Sequence, residues 1–408
     1  MISLLANRTF RHLFAAQVVA LLGTGLLTVG LGLLAYDIAG PDAGAVLGTA
    51  LAIKMVAYVT VAPVVSALAV RLPRKALLVG ADAVRALIAV SLPFVDQLWV
   101  IYLLVFALQA ASATFTPAFQ SLIPSVLTEE SDYNRGLSLS RLAYDLEAVV
   151  SPVLAAAVLT VVGYSSLFVG TVIGFVLSAV LVATTVIPHV PAPRADASRR
   201  RRMTLGTREL LASAPLRGLL VLNLVVAAAT ALVLVNTVVY VRDALGGGDS
   251  MVAVALGLFG AGSMTTALCL PRLICTVTVR TAMLAGALTT SVGLIAASVV
   301  LLFETTSPVA LLAAWFVLGA GTCLITTPSA RLIVDACPPE SRAAVFAAQF
   351  SLSHACFLLT YPIAGWVGAG LGQVEAAVIL SVLAILATAA AARIWPTHVD
   401  SGGALTSV

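Results

Sequence analysis

Runs such as Leu21 to Ala35 and Val221 to Val235 stay apolar around the whole circumference of a helix, and a water-soluble fold has no place for many such segments. The chain is 61% hydrophobic over 408 residues and only 10% charged. That is about 250 apolar residues, where each helix needs roughly 20 to cross a ~30 Å hydrocarbon core. The supply matches about twelve spans. Soluble domains carry about 25% charged residues, so a cytoplasmic enzyme, a disordered chain and a nucleic-acid-binding protein are excluded. A transmembrane barrel is excluded as well, because its strands alternate apolar and polar residues. The expected class is an all-α membrane protein.

Cutting the chain at charged, glycine and proline breaks predicts spans at 12–38, 44–70, 76–94, 98–121, 137–160 and 165–187. Six more follow at 217–241, 251–271, 281–303, 308–330, 343–367 and 374–394. The expected organisation is a six-helix bundle over 1–187, a basic linker over 188–216, a second six-helix bundle over 217–394 and a tail over 395–408. The linker contains Pro188, Pro191, Pro193 and the run Arg199 to Arg202. Those arginines are expected to serve topology and to contact anionic membrane lipid. With the N-terminus inside, the loops holding Arg71, Arg74, Lys75, Arg135, Arg199 to Arg202, Arg208, Arg217, Arg272, Arg280 and Arg342 all face the cytoplasm. On the other side Arg242 is the one base, among Asp42, Asp96, Asp243, Asp249, Glu304 and Glu375. The positive-inside bias therefore predicts both termini in the cytoplasm. The hydrophobic run after Arg8 and Arg11 is longer than a signal-peptide core and reads as a retained first helix. Cys269, Cys275, Cys323, Cys337 and Cys356 form no Cys-x-x-Cys pair, so no disulfide or zinc framework is expected.

The two halves share features at an offset of about 210 residues: Thr116-Pro117 with Thr327-Pro328, Glu130 with Glu340, and Pro152 with Pro362. Parallel six-helix repeats joined by a basic loop imply a transporter architecture with its site near the bilayer midplane between the halves.

Residues 66–75 read SALAVRLPRK, and here the chain resembles the major facilitator superfamily, which carries Gly-x-Leu-Ala-Asp-Arg-x-Gly-Arg-Lys between its second and third helices. Leu68, Ala69, Arg71, Arg74 and Lys75 match, while Ser66, Val70 and Pro73 depart. The family's acid latches one conformational state, so Val70 places that latch in doubt. Residues 147–156, EAVVSPVLAA, resemble the Gly-x-x-x-Gly-Pro-x-x-Gly-Gly pattern of drug/proton antiporters, with Pro152 matching and Ser151, Ala155 and Ala156 in place of glycines. Phe106 stands where many drug exporters have an arginine. The stretches ANRTFRHLFAAQ, GADAVRA and FTPAFQSLIP are most similar to the bacterial branch holding nickel-resistance and enterobactin exporters. The resemblance implies a monomeric transporter of the bacterial inner membrane, without cofactor, whose partners are protons and a small-molecule or ion substrate.

Ionisable groups inside a bilayer are costly and mark function. Lys54 lies near mid-depth of the second span. Asp82 and Arg85, three apart, share a face and are expected to neutralise each other; Arg141 and Asp145 are i, i+4 partners. Glu147 has no partner on its own helix and is the first candidate proton carrier, with Asp145 second; a fixed pair with Lys54 is the alternative. His354 is expected either to face Lys54 across the halves or to bond to Ser351 or Ser353. Arg331 and Asp335 are expected to form an interface clasp. Pro152 and Pro362 are expected gating positions. In the family, helices one, four, seven and ten line the cavity, which on this chain implies Gln17, Thr24, Thr28, Gln109, Asn223, Asn236 and Thr326.

No catalytic motif, metal-ligand cluster or nucleotide-binding loop is present in the sequence. The expected function is proton-coupled export of a small organic compound, drug or metal chelate by alternating access. The alternatives are export of nickel or cobalt ions, uptake by symport or facilitation, and, from another class, a channel or receptor.

Overall fold

The computed structural model describes residues 4, 6–68, 73–120, 122–127, 129–186, 199–274, 276–303 and 307–395. Twelve long helices dominate these residues: α1 Arg8–Ala39, α2 Ala43–Leu68, α3 Arg74–Ser91, α4 Leu98–Gln120, α5 Glu130–Leu159, α6 Ser165–Thr184, α7 Ala214–Val239, α8 Asp249–Ile274, α9 Val279–Leu302, α10 Pro308–Thr326, α11 Pro339–Pro362 and α12 Gln373–Ile394. Most match the expected spans to within a few residues, and local chemistry explains the departures. The side chain of Asn7 accepts the Phe10 N–H at 3.1 Å, which starts α1 at Arg8 rather than near residue 12. Pro328 lacks an N–H, and the tenth span stops before it; a separate short helix, Ser329–Ala336, follows. α5 begins at Glu130, a full turn and more before the expected 137. π-helical turns extend α7 over Tyr240–Ala244 and α11 over Ile363–Val367, the latter directly after Pro362.

The helices cross the molecule alternately. One face carries the start of α1, the end of α2 with the start of α3, and the end of α6 with the start of α7, and is called the linker face; the opposite one is the far face. α1 packs on α6 and α5, α2 on α4, and α3 on α6 and α4; in the second half α7 packs on α12 and α11, and α10 on α8 and α9. The halves meet along α5 against α8 and α2 against α11. Outward-facing side chains such as Leu87, Val169, Leu288 and Leu386 are exposed, as an apolar surface turned to lipid requires.

Within the expected linker a helix, Arg199–Ala212, lies against α11 on the linker face, and α7 begins at Ala214. Residues 187–198 and 396–408 lie outside the described residues. One correspondence between the halves is visible only in three dimensions. Lys75 at the start of α3 donates its Nζ to the Thr185 carbonyl just after α6, at 3.0 Å. Arg280 at the start of α9 likewise donates to the Trp395 carbonyl, just after α12, at 2.7 Å, and to the Ala392 carbonyl at 3.2 Å. In each half a cation on the third helix satisfies carbonyls at the end of the sixth, where the helix dipole is negative.

Candidate functional site

α1, α2, α3, α4, α5, α7 and α8 wall a cavity of about 340 Å³ between the halves. Phe115, Phe259, Leu51, Leu234 and Leu256 make much of the wall apolar. Against that background α1 presents Gln17, Thr24 and Thr28, α2 presents Lys54 and Tyr58, and α5 presents Glu147. Gln17 is held by Ser140 of α5, whose hydroxyl donates to it at 2.8 Å. The threonine hydroxyls bond to carbonyls of their own helix, Thr24 to Ala20 at 2.9 Å and Thr28 to Thr24 at 3.0 Å, which leaves the wall smooth.

Glu147 sits in the seam where α1 passes α5. A Cβ on Gly25 would collide with the Ser151 side chain and the Glu147 Oε1, so only glycine at 25 lets α1 come this close to the acid. Lys54 and Glu147 act on each other electrostatically. Among the described residues, however, the ion pairs within 4 Å are Asp82–Arg85, Arg242–Asp249 and Arg331–Asp335, so Lys54 and Glu147 are not joined directly.

Arg85 also reaches the cavity wall, but Asp82 pairs with it as the sequence spacing predicts. The guanidinium lies 4.5 Å from the ring centroids of both Phe115 and Phe175. Both partners are buried. Asp82→Asn is therefore expected to destabilise the protein by about 3–5 kcal/mol, because it strands a buried guanidinium. The check is the melting temperature in detergent, and an unchanged value contradicts it.

The remaining expected site residues fall elsewhere. Asn236 is buried away from the cavity wall, donating to the Ala364 carbonyl at 3.0 Å and to Gln373 Oε1 at 2.6 Å, so it ties α7 to the end of α11 and to α12. Gln109 and Asn223 are buried but do not line this cavity, and neither does Thr326, whose carbonyl accepts from Ser329 at 2.5 Å. His354 is bonded through Nδ1 to the Phe350 carbonyl at 2.7 Å, with Ser353 at 3.4 Å; its ring lies 5.8 Å from that of Tyr58 on α2, and Lys54 of the same helix acts on it electrostatically. Arg331 and Asp335 pair at 3.6 Å with side chains 64% and 61% exposed. This is a surface pair within one short helix and not an interface clasp; such pairs contribute about 0–1 kcal/mol. Arg71 and Val70, and the side chains of Arg74, Arg141 and Asp145, lie outside the described residues. Lys75 joins α3 to the end of α6 within one half. Tyr58, Ser112, Phe115, Thr230 and Phe259 line the cavity without having been singled out. Tyr58 alone left a trace in the sequence, being one helical turn beyond Lys54.

The far face is closed. Position 48 of α2 packs on the backbone of α11: a Cβ there would stand 2.7 Å from the Tyr361 carbonyl oxygen and 3.0 Å from the Gly365 Cα. Trp366 donates its indole N–H to Thr49 at 2.9 Å. Tyr36 donates to Asp243, while Arg242 lies over the Tyr36 ring and pairs with Asp249. Tyr164 donates to Asp37 at 2.8 Å; burial, with the Asp37 bond second, pushes its phenol up to about 12, so this bond survives any physiological pH.

The family model of the Major Facilitator Superfamily matches residues 13–276 and, separately, 219–406. Macrolide efflux protein A of Streptococcus pyogenes is 24% identical over 186 residues, which is 44% of this chain and 45% of that protein; the match thus spans less than half the length of this curated relative. Among solved structures, the nucleoside transporter NupG superposes with TM-score 0.72 at 13% identity, covering 96% of this chain and 100% of that one. A POT family transporter in complex with a thioalcohol-conjugated peptide gives 0.72 at 13%, covering 94% and 95%. A bacterial homologue of the human lysosomal transporter Spinster, inward-facing and unoccupied, gives 0.71 at 14%, covering 95% and 98%. At these identities the structures speak for the fold. The family match, the twelve helices and the lipid-facing surface lead to one conclusion: the chain is a multi-pass membrane transporter of the major facilitator superfamily.

Proposed function

We propose that the protein exports a small organic compound from the bacterial cytoplasm in exchange for protons, by alternating access of the cavity to the two sides of the inner membrane. The observation that carries this reading is Glu147, an acid with no direct ion-pair partner among the described residues, facing a largely apolar cavity between the halves. Such a group takes up or gives off a proton according to which side supplies water, and a substrate that occupies its charge displaces the proton. The basic loops of the linker face support placing that face and both termini in the cytoplasm. With α2 and α11 packed together at the far face, the exchange reading has the cavity load a cytoplasmic compound from the linker face.

The similarity to a macrolide efflux protein supports export and an organic substrate. Among the described residues no group of three or more His, Cys, Asp or Glu comes together, which disfavours a bare nickel or cobalt ion as cargo. The test is growth of a transporter-deficient bacterium expressing the chain on macrolides, cationic and zwitterionic drugs, nickel and cobalt. Resistance that disappears with a protonophore supports proton-driven export. Heightened sensitivity to a compound indicates uptake, and resistance to nickel alone restores the metal reading.

A further inference from the structure

The geometry points to a zwitterionic substrate: an apolar or aromatic body carrying one cationic group, received by Glu147, and one anionic group, received by Lys54. This rests on the transport reading above and specifies what the same cavity takes. Among the described residues Lys54, Arg85 and Glu147 are the charged side chains on the wall, and Arg85 is already closed by Asp82 and by two aromatic rings. Lys54 and Glu147 line the same cavity, yet no ion pair within 4 Å joins them, and no hydrogen bond to either side chain occurs among the described residues. Both charges therefore stand at the cavity with bonding capacity that a bound molecule can use.

Charge arithmetic then discriminates between ligands. A compound that is only a cation gains Glu147 but is repelled by Lys54, and one that is only an anion meets the reverse. A zwitterion satisfies both groups and leaves the cavity neutral, which matters where water is scarce and an uncompensated charge is expensive. The Glu147 Oε1 lies beside Gly25 and Ser151, which places the anionic end of the site at the α1–α5 seam. Phe115, Phe259 and Leu234 supply apolar surface for the body of the molecule, and about 340 Å³ fits the lower end of drug-sized ligands.

Two matched series test this on the full chain in detergent by direct binding. The first is tryptophan, tryptamine and indole-3-propionate; the second, with more widely separated charges, is norfloxacin, its methyl ester and its N-acetyl derivative. In at least one series the zwitterion is expected to bind at least tenfold more tightly than either singly charged analogue. Lys54→Met is expected to erase the preference over the cation, and Glu147→Gln the preference over the anion. The double exchange Lys54→Glu with Glu147→Lys is expected to restore it, with melting temperatures confirming that each variant is folded. Equal binding of a singly charged analogue in both series, or binding of neither zwitterion, overturns the proposal. Binding in detergent needs no gradient, so a chain that prefers zwitterions but ignores protons defeats the exchange reading alone. Proton-driven export of singly charged compounds in preference to zwitterions defeats this inference alone.

Discussion

Glu147→Gln is expected to reduce gradient-driven transport to the leak of membranes without the protein, while the variant still folds and still reaches the membrane. Glutamine keeps the shape of the acid and its place beside Gly25 and Ser151, so packing along the α1–α5 seam survives. What it removes is the exchangeable proton. Without that, the cavity no longer changes charge between its two faces, and nothing makes substrate movement depend on the proton gradient. Lys54 remains, now without an opposite charge across the cavity, and the variant is expected to bind anionic compounds better than the wild type does. The check is accumulation of a transported compound in inverted vesicles with an imposed pH gradient. Undiminished accumulation by Glu147→Gln removes this residue from the mechanism.

The second large effect is expected at the far face. Valine at position 48 or 365 places side-chain atoms where α2 and α11 now touch backbone to backbone; a Cβ at 365 would stand 3.1 Å from the Gly48 Cα. Overpacking of this kind costs about 1–3 kcal/mol. The cost falls only on the state in which the far face is closed, so it shifts the balance of states by about 5- to 150-fold towards the one that opens there. Transport is expected to fall because the cycle stalls in one state. The readout is labelling of Thr28→Cys, a cavity position, by a membrane-impermeant maleimide added from the far side, in a background with the native cysteines replaced. Faster labelling in Gly48→Val and Gly365→Val is expected; an unchanged rate means that this crossing is not the gate.

The sequence was most legible where the physics leaves few choices. Apolar runs long enough for a bilayer set the twelve helices, and the rarity of charge inside them made Lys54, Asp82, Arg85 and Glu147 stand out before any packing was visible. The polar cavity residues were legible only in part. Gln17, Thr24 and Thr28 do line it, whereas Asn236 bonds to Gln373, and Gln109 and Asn223 lie away from the wall. A helix that is apolar on all sides has no hydrophobic stripe to fix its rotation, so a polar residue on it does not reveal which way it faces. The close α2–α11 crossing was hidden for a related reason: a glycine such as Gly48 or Gly365 shows its purpose only when its partner helix, some three hundred residues away, is in place. The paired caps Lys75–Thr185 and Arg280–Trp395 were likewise silent, because every residue has a carbonyl and nothing in the sequence says which ones lack a donor.

The most direct measurement is proton release when the purified protein, in weakly buffered detergent, binds a compound that it exports. The wild type is expected to release protons in proportion to occupied sites, and Glu147→Gln to bind without release. Binding by the wild type with no release, or equal release by both proteins, contradicts the claim that substrate and proton exchange at Glu147.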